Sequence, residues 1–428
     1  MRDRRNAAPT AVRGGVLIAV AIGVMNVATY ASTLLAARLL GPKAYGGFAA
    51  VTGLLLIVGV LMLGLQTTGA RRVAASPEHA GEIERSLMRV TYRSAWVLAG
   101  ACLLLSPAFD AALNLQSPAT AAIVALVVWP MTLVGGEAGI LQGERRWAQL
   151  AALYLAMGVT RVLGTLLLLW RPEEWVAALS MAIGFAGPAI VGRIGLRRSA
   201  HLRGSTPSKD HGERSILREL GANSHALLAF FVLSNADVIL SRFVLGSRES
   251  GLYAGGVILV KSLLFLPQFV VVVAFPSMST EEARRDTLVR SVTVVLALGL
   301  VTTAGVWLLS SIALIFVGGA EYSEVQGQLW LFALLGTVLS TVQLLIYSVV
   351  ARQSRRTVYI VWAALAVLAG VVTQTHSVTA MVVAVTLVDT VLMIGLLGLS
   401  WWRLRHDAPR ASNPDGSVGA GELAGDRA

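Results

Sequence analysis

The chain has 428 residues, of which 55% are hydrophobic and 14% charged, and its mean hydropathy is +0.70. A soluble domain carries about 25% charged residues, so a soluble globular enzyme and a disordered chain are both excluded, and an integral membrane protein remains. The net charge of +11 would suggest nucleic acid in a soluble protein; here the basic residues punctuate apolar runs, so they set topology and no nucleic-acid partner is expected.

A bilayer-spanning helix needs ~20 apolar residues. Charge-poor runs of that order predict about twelve spans, at 14–37, 47–69, 94–113, 119–141, 150–170, 175–195, 221–244, 252–276, 291–317, 327–350, 358–373 and 377–402. Run length favours helices over a barrel, whose strands would alternate over ~10 residues. The predicted class is therefore an all-α polytopic membrane protein. The first run is too long for a signal-peptide core and lacks a clear cleavage site, so it is read as a retained helix.

Of the 35 Lys and Arg residues, 28 fall on the side that carries both termini and five on the other, Arg38, Lys43, Arg171, Arg242 and Arg248. Arg161 and Lys261 lie inside spans. This asymmetry predicts cytoplasmic termini, an even number of spans and a multi-pass protein of the bacterial cytoplasmic membrane. Single-cysteine usage, Cys102, permits no internal disulfide and no Cys-based metal cluster.

The longest internal polar stretch divides the spans six and six. The expected organisation is a six-helix lobe over 1–195, a cytoplasmic linker over 196–220, a second six-helix lobe over 221–402 and a disordered tail over 403–428. The halves echo each other. Gly41-Pro42-Lys43-Ala44-Tyr45-Gly46-Gly47-Phe48-Ala49 recurs 205 positions later as Gly246-Ser247-Arg248-Glu249-Ser250-Gly251-Leu252-Tyr253-Ala254. Each copy falls between the first and second span of its half. Six spans per half make this a parallel repeat with a pseudo-twofold along the membrane normal, an arrangement that usually builds transporters.

The stretch Ala36-Ala37-Arg38-Leu39-Leu40-Gly41-Pro42-Lys43-Ala44-Tyr45-Gly46 resembles the opening of the Wzx-type oligosaccharide flippases, the polysaccharide biosynthesis proteins of the MATE-like exporter superfamily. Ser234-Asn235-Ala236-Asp237-Val238, Gly251-Leu252-Tyr253-Ala254, Lys261, Leu264-Phe265-Leu266-Pro267 and Phe275-Pro276 are similar to the matching second-half signature. The resemblance implies a V-shaped pair of six-helix bundles that rock to flip a polyprenyl-diphosphate-linked sugar. It also implies a polysaccharide polymerase and glycosyltransferases as further partners.

Ionisable residues inside a membrane cost at least ~2.5 kcal/mol on insertion scales and should face a cavity or a partner. Lys261 lies about 14 Å into span 8 and Asp237 about 10 Å into span 7, at 1.5 Å per residue, so the two are expected either to pair or to leave Lys261 facing the cavity. Arg161 sits near the middle of span 5 on a polar stripe with Tyr154 and Thr165. It is expected either to bind a diphosphate, whose oxygens suit a guanidinium fork, or to lock onto carbonyls or Glu137. Asn26, Tyr30 and Thr33 form a stripe on span 1, and Asn235 and Gln268 add polar groups on spans 7 and 8. Asp389, central in span 12, suits either ion coupling or packing as a neutral acid. Arg38 and Arg242, at outer span ends, read as surface anchors. Pro107, Pro130, Pro188 and Pro267 interrupt spans and are expected to kink them.

No Gly-rich phosphate loop or His-Glu-x-x-His motif occurs, the only lysines being Lys43, Lys209 and Lys261. No cofactor is expected. The connections on the side opposite the termini are short, which counts against a membrane glycosyltransferase or polymerase, since such an enzyme needs a folded head for donor and acid–base pair. The expected function is flipping of a lipid-linked oligosaccharide between leaflets, without enzymatic activity, Lys261 and Arg161 attracting the diphosphate. A MATE-like drug or cation antiporter is the alternative and would want an acidic cavity.

Overall fold

The first two predicted spans are helices joined directly at a single glycine with non-helical backbone. In the computed structural model, which describes residues 3–197, 212–265, 281–350 and 355–406, helix α1 runs from Asp3 to Val58 with a kink at Gly41. Gly41 has φ +64 and ψ 171, and a Cβ there would lie 2.5 Å from the Glu321 carboxylate. The backbone conformation demands glycine, whereas the Glu321 side chain, being exposed, can move aside. Helix α2 (Val60–Ala75) completes the second span.

The third span is bent. Helices α3 (Ala80–Leu104) and α4 (Ser106–Leu113) meet at 55°, where Pro107 begins a new helix because its ring cannot continue the old one. Helix α5 (Pro118–Gly143) starts on a Ser117 cap whose hydroxyl accepts from Ala119 N at 3.3 Å, and it carries Pro130 without breaking. Helices α6 (Trp147–Thr165) and α7 (Glu174–Arg197) complete the first half; Pro188 likewise leaves α7 in one piece.

The second half comprises α8 (Glu213–Val244), α9 (Ser247–Leu263), α10 (Glu281–Leu308), α11 (Ser310–Ile315), a 3-10 stretch over Ala320–Gln328, α12 (Leu329–Val350), α13 (Arg355–Val372) and α14 (Val378–His406). Each predicted span falls mainly on helix where the chain is described, with breaks or turns inside the second, third, eighth and ninth and a 3-10 end to the fifth. Among the described residues eight helices are long and apolar enough to cross a membrane, or nine with the bent pair, the 62-residue stretch Gly14–Ala75 being one of the eight. Pro267, Gln268 and the predicted tail from 407 lie outside the described residues, as does most of the linker, 198–211. Residues 213–220, expected to be linker, instead form the first two turns of α8.

Packing follows the repeat. In the first half α1 packs on α6, α6 on α7, α7 on α5, and α5 on α2 and α3. In the second, α9 and α10 pack on α12, α12 on α14, and α13 on α8 and α14. The halves meet where α1 lies against α8 and α9, and α2 against α8. Of the fourth spans of the two halves, α5 is 67% buried and α12, with the stretch before it, 83%, the highest shares among the candidate spans. Each is thus the central post of its half. Large apolar residues such as Leu104, Leu169, Trp170 and Val391 project outward, as expected where lipid replaces water.

The face rich in Lys and Arg connections is the basic face, and the opposite one is the far face.

Candidate functional site at the seam between the halves

The far-face end of the seam is closed by backbone contact between the two copies of the repeat. Gly46 and Gly251 are equivalent across the 205-residue displacement, and a Cβ on Gly46 would lie 3.0 Å from Gly251 Cα. A Cβ on Gly251 would land on the Pro42 carbonyl oxygen. Equivalent residues meet each other only on a symmetry axis, so this contact places the pseudo-twofold between the two glycines.

Two arginines clasp the halves on either side of that axis. Arg38, ending the first span, donates from Nη2 to the Ile315 carbonyl at 2.7 Å. Arg242, ending the seventh, donates from Nε to the Leu113 carbonyl at 2.7 Å and from Nη2 to the Asn114 carbonyl. Each thus reaches the carboxyl end of the third span of the opposite half, where unsatisfied carbonyls and the helix dipole favour a cation. Arg242 is 5% exposed and also donates to Ser250 Oγ at 2.9 Å. These two residues were expected to be surface anchors; they are cross-seam ties instead, because the third spans end beneath them. Tyr322 adds a bond from its hydroxyl to the Ala37 carbonyl at 3.1 Å, and its ring meets Tyr45 edge-on at 6.4 Å. Tyr30, expected to line a cavity, donates to the Phe316 carbonyl at 3.1 Å and is part of this closure.

Below the closure stand the two intramembrane cations. Lys261 is 14 residues from the start of α9, or ~21 Å at 1.5 Å per residue, whereas Asp237 is seven residues from the end of α8, or ~10 Å. The depths differ because α9 starts five residues before the predicted span, and no Lys261–Asp237 ion pair forms. The Asp237 Oδ2 accepts from the Tyr253 hydroxyl at 2.8 Å, its other oxygen lacking a partner. Lys261 donates from Nζ to Asn235 Oδ1 at 3.0 Å and to the Ser234 carbonyl. Asn235 is held by its own donation to the Phe231 carbonyl at 2.7 Å, and a Cβ on Gly53 of α1 would touch it at 3.5 Å. Asn235, the acceptor of the Lys261 ammonium, therefore lies at the seam.

Arg161 is 14 residues from the basic-face end of α6, again ~21 Å, and within electrostatic reach of Tyr45. It stands closer to the far face than the midplane position expected from the sequence. Lys261 is the same distance from the far face, so the two cations are staggered along the membrane normal rather than level. Both are half-buried, and among the described residues neither has a carboxylate within ion-pair distance. Glu137, a proposed lock for Arg161, is instead 1% exposed and turned toward Arg193 and Gly192 on α7.

Asp389 is 2% exposed with one oxygen unpartnered, and it lies in electrostatic reach of Asp237, Lys261 and Tyr253. Tyr154 accepts from Gln66 Nε2 at 2.8 Å. The same amide also donates to Gln142 Oε1 at 3.0 Å, so Tyr154 belongs to a first-half polar network. Asn26 is half-buried, and Gln268 is outside the described residues.

At the basic face the start of α8 docks on the first half. Ile216 and Leu220 join the apolar core around Leu65, Leu87 and Leu133. Glu219 pairs with Arg71 and Arg72, and Glu213 with Arg89 and Arg93.

Solved structures share this architecture. An inward-facing multidrug resistance MATE family transporter of the MOP superfamily superposes with a TM-score of 0.65 at 13% identity, covering 90% of this chain and 94% of that one. The eukaryotic MATE transporter AtDTX14 gives 0.60 at 15%, covering 93% and 96%. The fold is that of the MATE transporters. A MOP superfamily transporter from Pyrococcus furiosus, described as having a binding pocket of reverse polarity that suggests a different function, gives 0.58 at 12%, covering 92% and 95%. No family model matches the chain, and no curated protein matches it in sequence.

Proposed function

We propose that the chain is an alternating-access transporter of the bacterial cytoplasmic membrane, its basic face cytoplasmic, that flips a polyprenyl-diphosphate-linked oligosaccharide to the outer leaflet. One observation carries the anionic substrate: the half-buried intramembrane cations Arg161 and Lys261 have no paired carboxylate among the described residues, while Asp237 and Asp389 are enclosed within the second half. A cation held in a low-dielectric site with no carboxylate in contact attracts an anion, more strongly at Arg161 than at Lys261, whose charge Asp237 and Asp389 offset from a distance. Their stagger gives a diphosphate two successive stations along the membrane normal. The resemblance around residues 36–46 and 234–276 supports the lipid-linked sugar as the anion's carrier.

A second reading has one observation behind it. Asp237 and Asp389 each present a buried oxygen without a partner, which suits cation or proton exchange and so either an antiporter or the coupling step of the flippase. The test is transport by the purified protein in proteoliposomes. Translocation of labelled lipid-linked sugar is expected, without translocation of an organic cation. Organic-cation transport with no lipid flipping overturns the proposal.

A further inference from the structure

A cavity of about 690 Å³ opens on the outer surface of the first half, away from the seam. Its floor is α5, its walls are α3 at Tyr92 and α7 from Leu179 to Arg197, and its lining is apolar until the basic face. There Arg193 and Arg197 stand one turn apart on the same side of α7. Both are exposed, and among the described residues neither forms an ion pair. Glu137 lines the groove at nearly the depth of Arg193, with one buried oxygen unpartnered. Its carboxyl is buried against α7 at Gly192, so the two exposed guanidiniums set the charge of the mouth.

We propose that this groove holds one anionic phospholipid of the leaflet at the basic face, its phosphodiester on Arg193 and Arg197 and an acyl chain laid over Leu133, Ala186 and Ile190. The argument is charge complementarity joined to shape. An anionic phosphodiester is opposite in charge to the two exposed guanidiniums at the mouth, and a guanidinium fork binds its oxygens bidentately. The α7 wall runs 19 residues from Leu179 to Arg197, ~27 Å over 18 rises of 1.5 Å. One leaflet contributes about half of a ~30 Å hydrocarbon core, so a single acyl chain fits below Arg193 without leaving the groove. Leu126 and Ile190 are 56% and 60% exposed, so the groove is open to a chain entering sideways from the bilayer. The site is independent of what crosses the seam.

The test is native mass spectrometry of the full-length protein titrated in detergent with phosphatidylglycerol or phosphatidylcholine. The wild type is expected to retain phosphatidylglycerol at least tenfold better. An Arg193→Gln/Arg197→Gln variant should lose that preference, and Ala186→Trp should lose the bound lipid with both arginines intact. Size-exclusion profile and Tm identify which variants are folded; should Ala186→Trp not fold, the arginine variant alone decides. Equal retention of the two lipids by the wild type, or a preference unchanged in the folded variants, overturns the proposal. So does displacement of phosphatidylglycerol from the wild type by an equimolar polyprenyl phosphate, which would assign the groove to the substrate's tail. The readout is bound lipid and not transport, so it stands or falls separately from the flippase reading.

Discussion

Gly46 and Gly251, 205 positions apart in the chain, touch backbone to backbone at the far-face end of the seam. In the alternating-access cycle proposed above, the two bundles would part and re-form this contact each time. A side chain on Gly251 has nowhere to go, since its Cβ meets main chain rather than a movable side chain. Gly251→Val is therefore expected to hold the far face open and reduce transport at least tenfold while the protein still folds. Distances between spin labels at Lys43→Cys and Arg248→Cys, both exposed across the seam, should lengthen in this variant. An unchanged distance distribution would remove the contact from the gate.

The arginine clasps predict an unequal pair of effects. Hydrogen bonds from charged groups are worth ~1.5–3 kcal/mol each, but exposure weakens them. Arg242, buried with three such bonds, should shift the label distances strongly when changed to Ala. Arg38, exposed with one, should shift them weakly. Equal shifts would contradict the buried clasp as the dominant tie.

For the cations, Lys261→Gln and Arg161→Gln should each lower translocation of lipid-linked sugar by tenfold or more with protein yield preserved. Lys261→Arg should restore part of it, because the charge returns on a different donor geometry. Full transport by the double Gln variant would eliminate both residues from the path.

Asp237 separates coupling from packing. Asp237→Asn keeps an acceptor for the Tyr253 hydroxyl and removes the charge. If the carboxylate couples transport to an ion, flux in this variant should no longer respond to an imposed ion gradient, while gradient-free exchange persists. A flux that still follows the gradient assigns Asp237 to packing alone.

The basic-face ties offer a control. Glu219 joins the first turns of α8 to Arg71 and Arg72. Charge reversal, Glu219→Lys, places like charges together and should lower Tm by a few degrees, in proportion to the ~1–2 kcal/mol expected of a partly exposed pair. Arg72→Glu in the same chain should recover part of the loss, as read by a thermal melt.

Composition and run length determined the class of this protein by themselves, since a chain so poor in charge has no other way to satisfy its surface. The basic bias determined the two faces. The repeat at Gly41 and Gly246 announced two related halves, because Gly, a second Gly five residues on and an aromatic-Ala pair recur at equivalent connections. Tertiary structure alone decided the partners. Arg38 and Arg242 looked like anchors because the carbonyls they reach lie 277 and 129 residues away. Asp237 and Lys261 looked able to pair because depth was counted from span ends placed by hydropathy. The five residues by which α9 begins earlier moved the lysine ~7 Å further along its helix, past the carboxylate and onto Asn235. Periodicity tells which face of a helix a side chain occupies. What stands opposite that face depends on how distant helices are stacked, and a one-dimensional pattern holds no record of that.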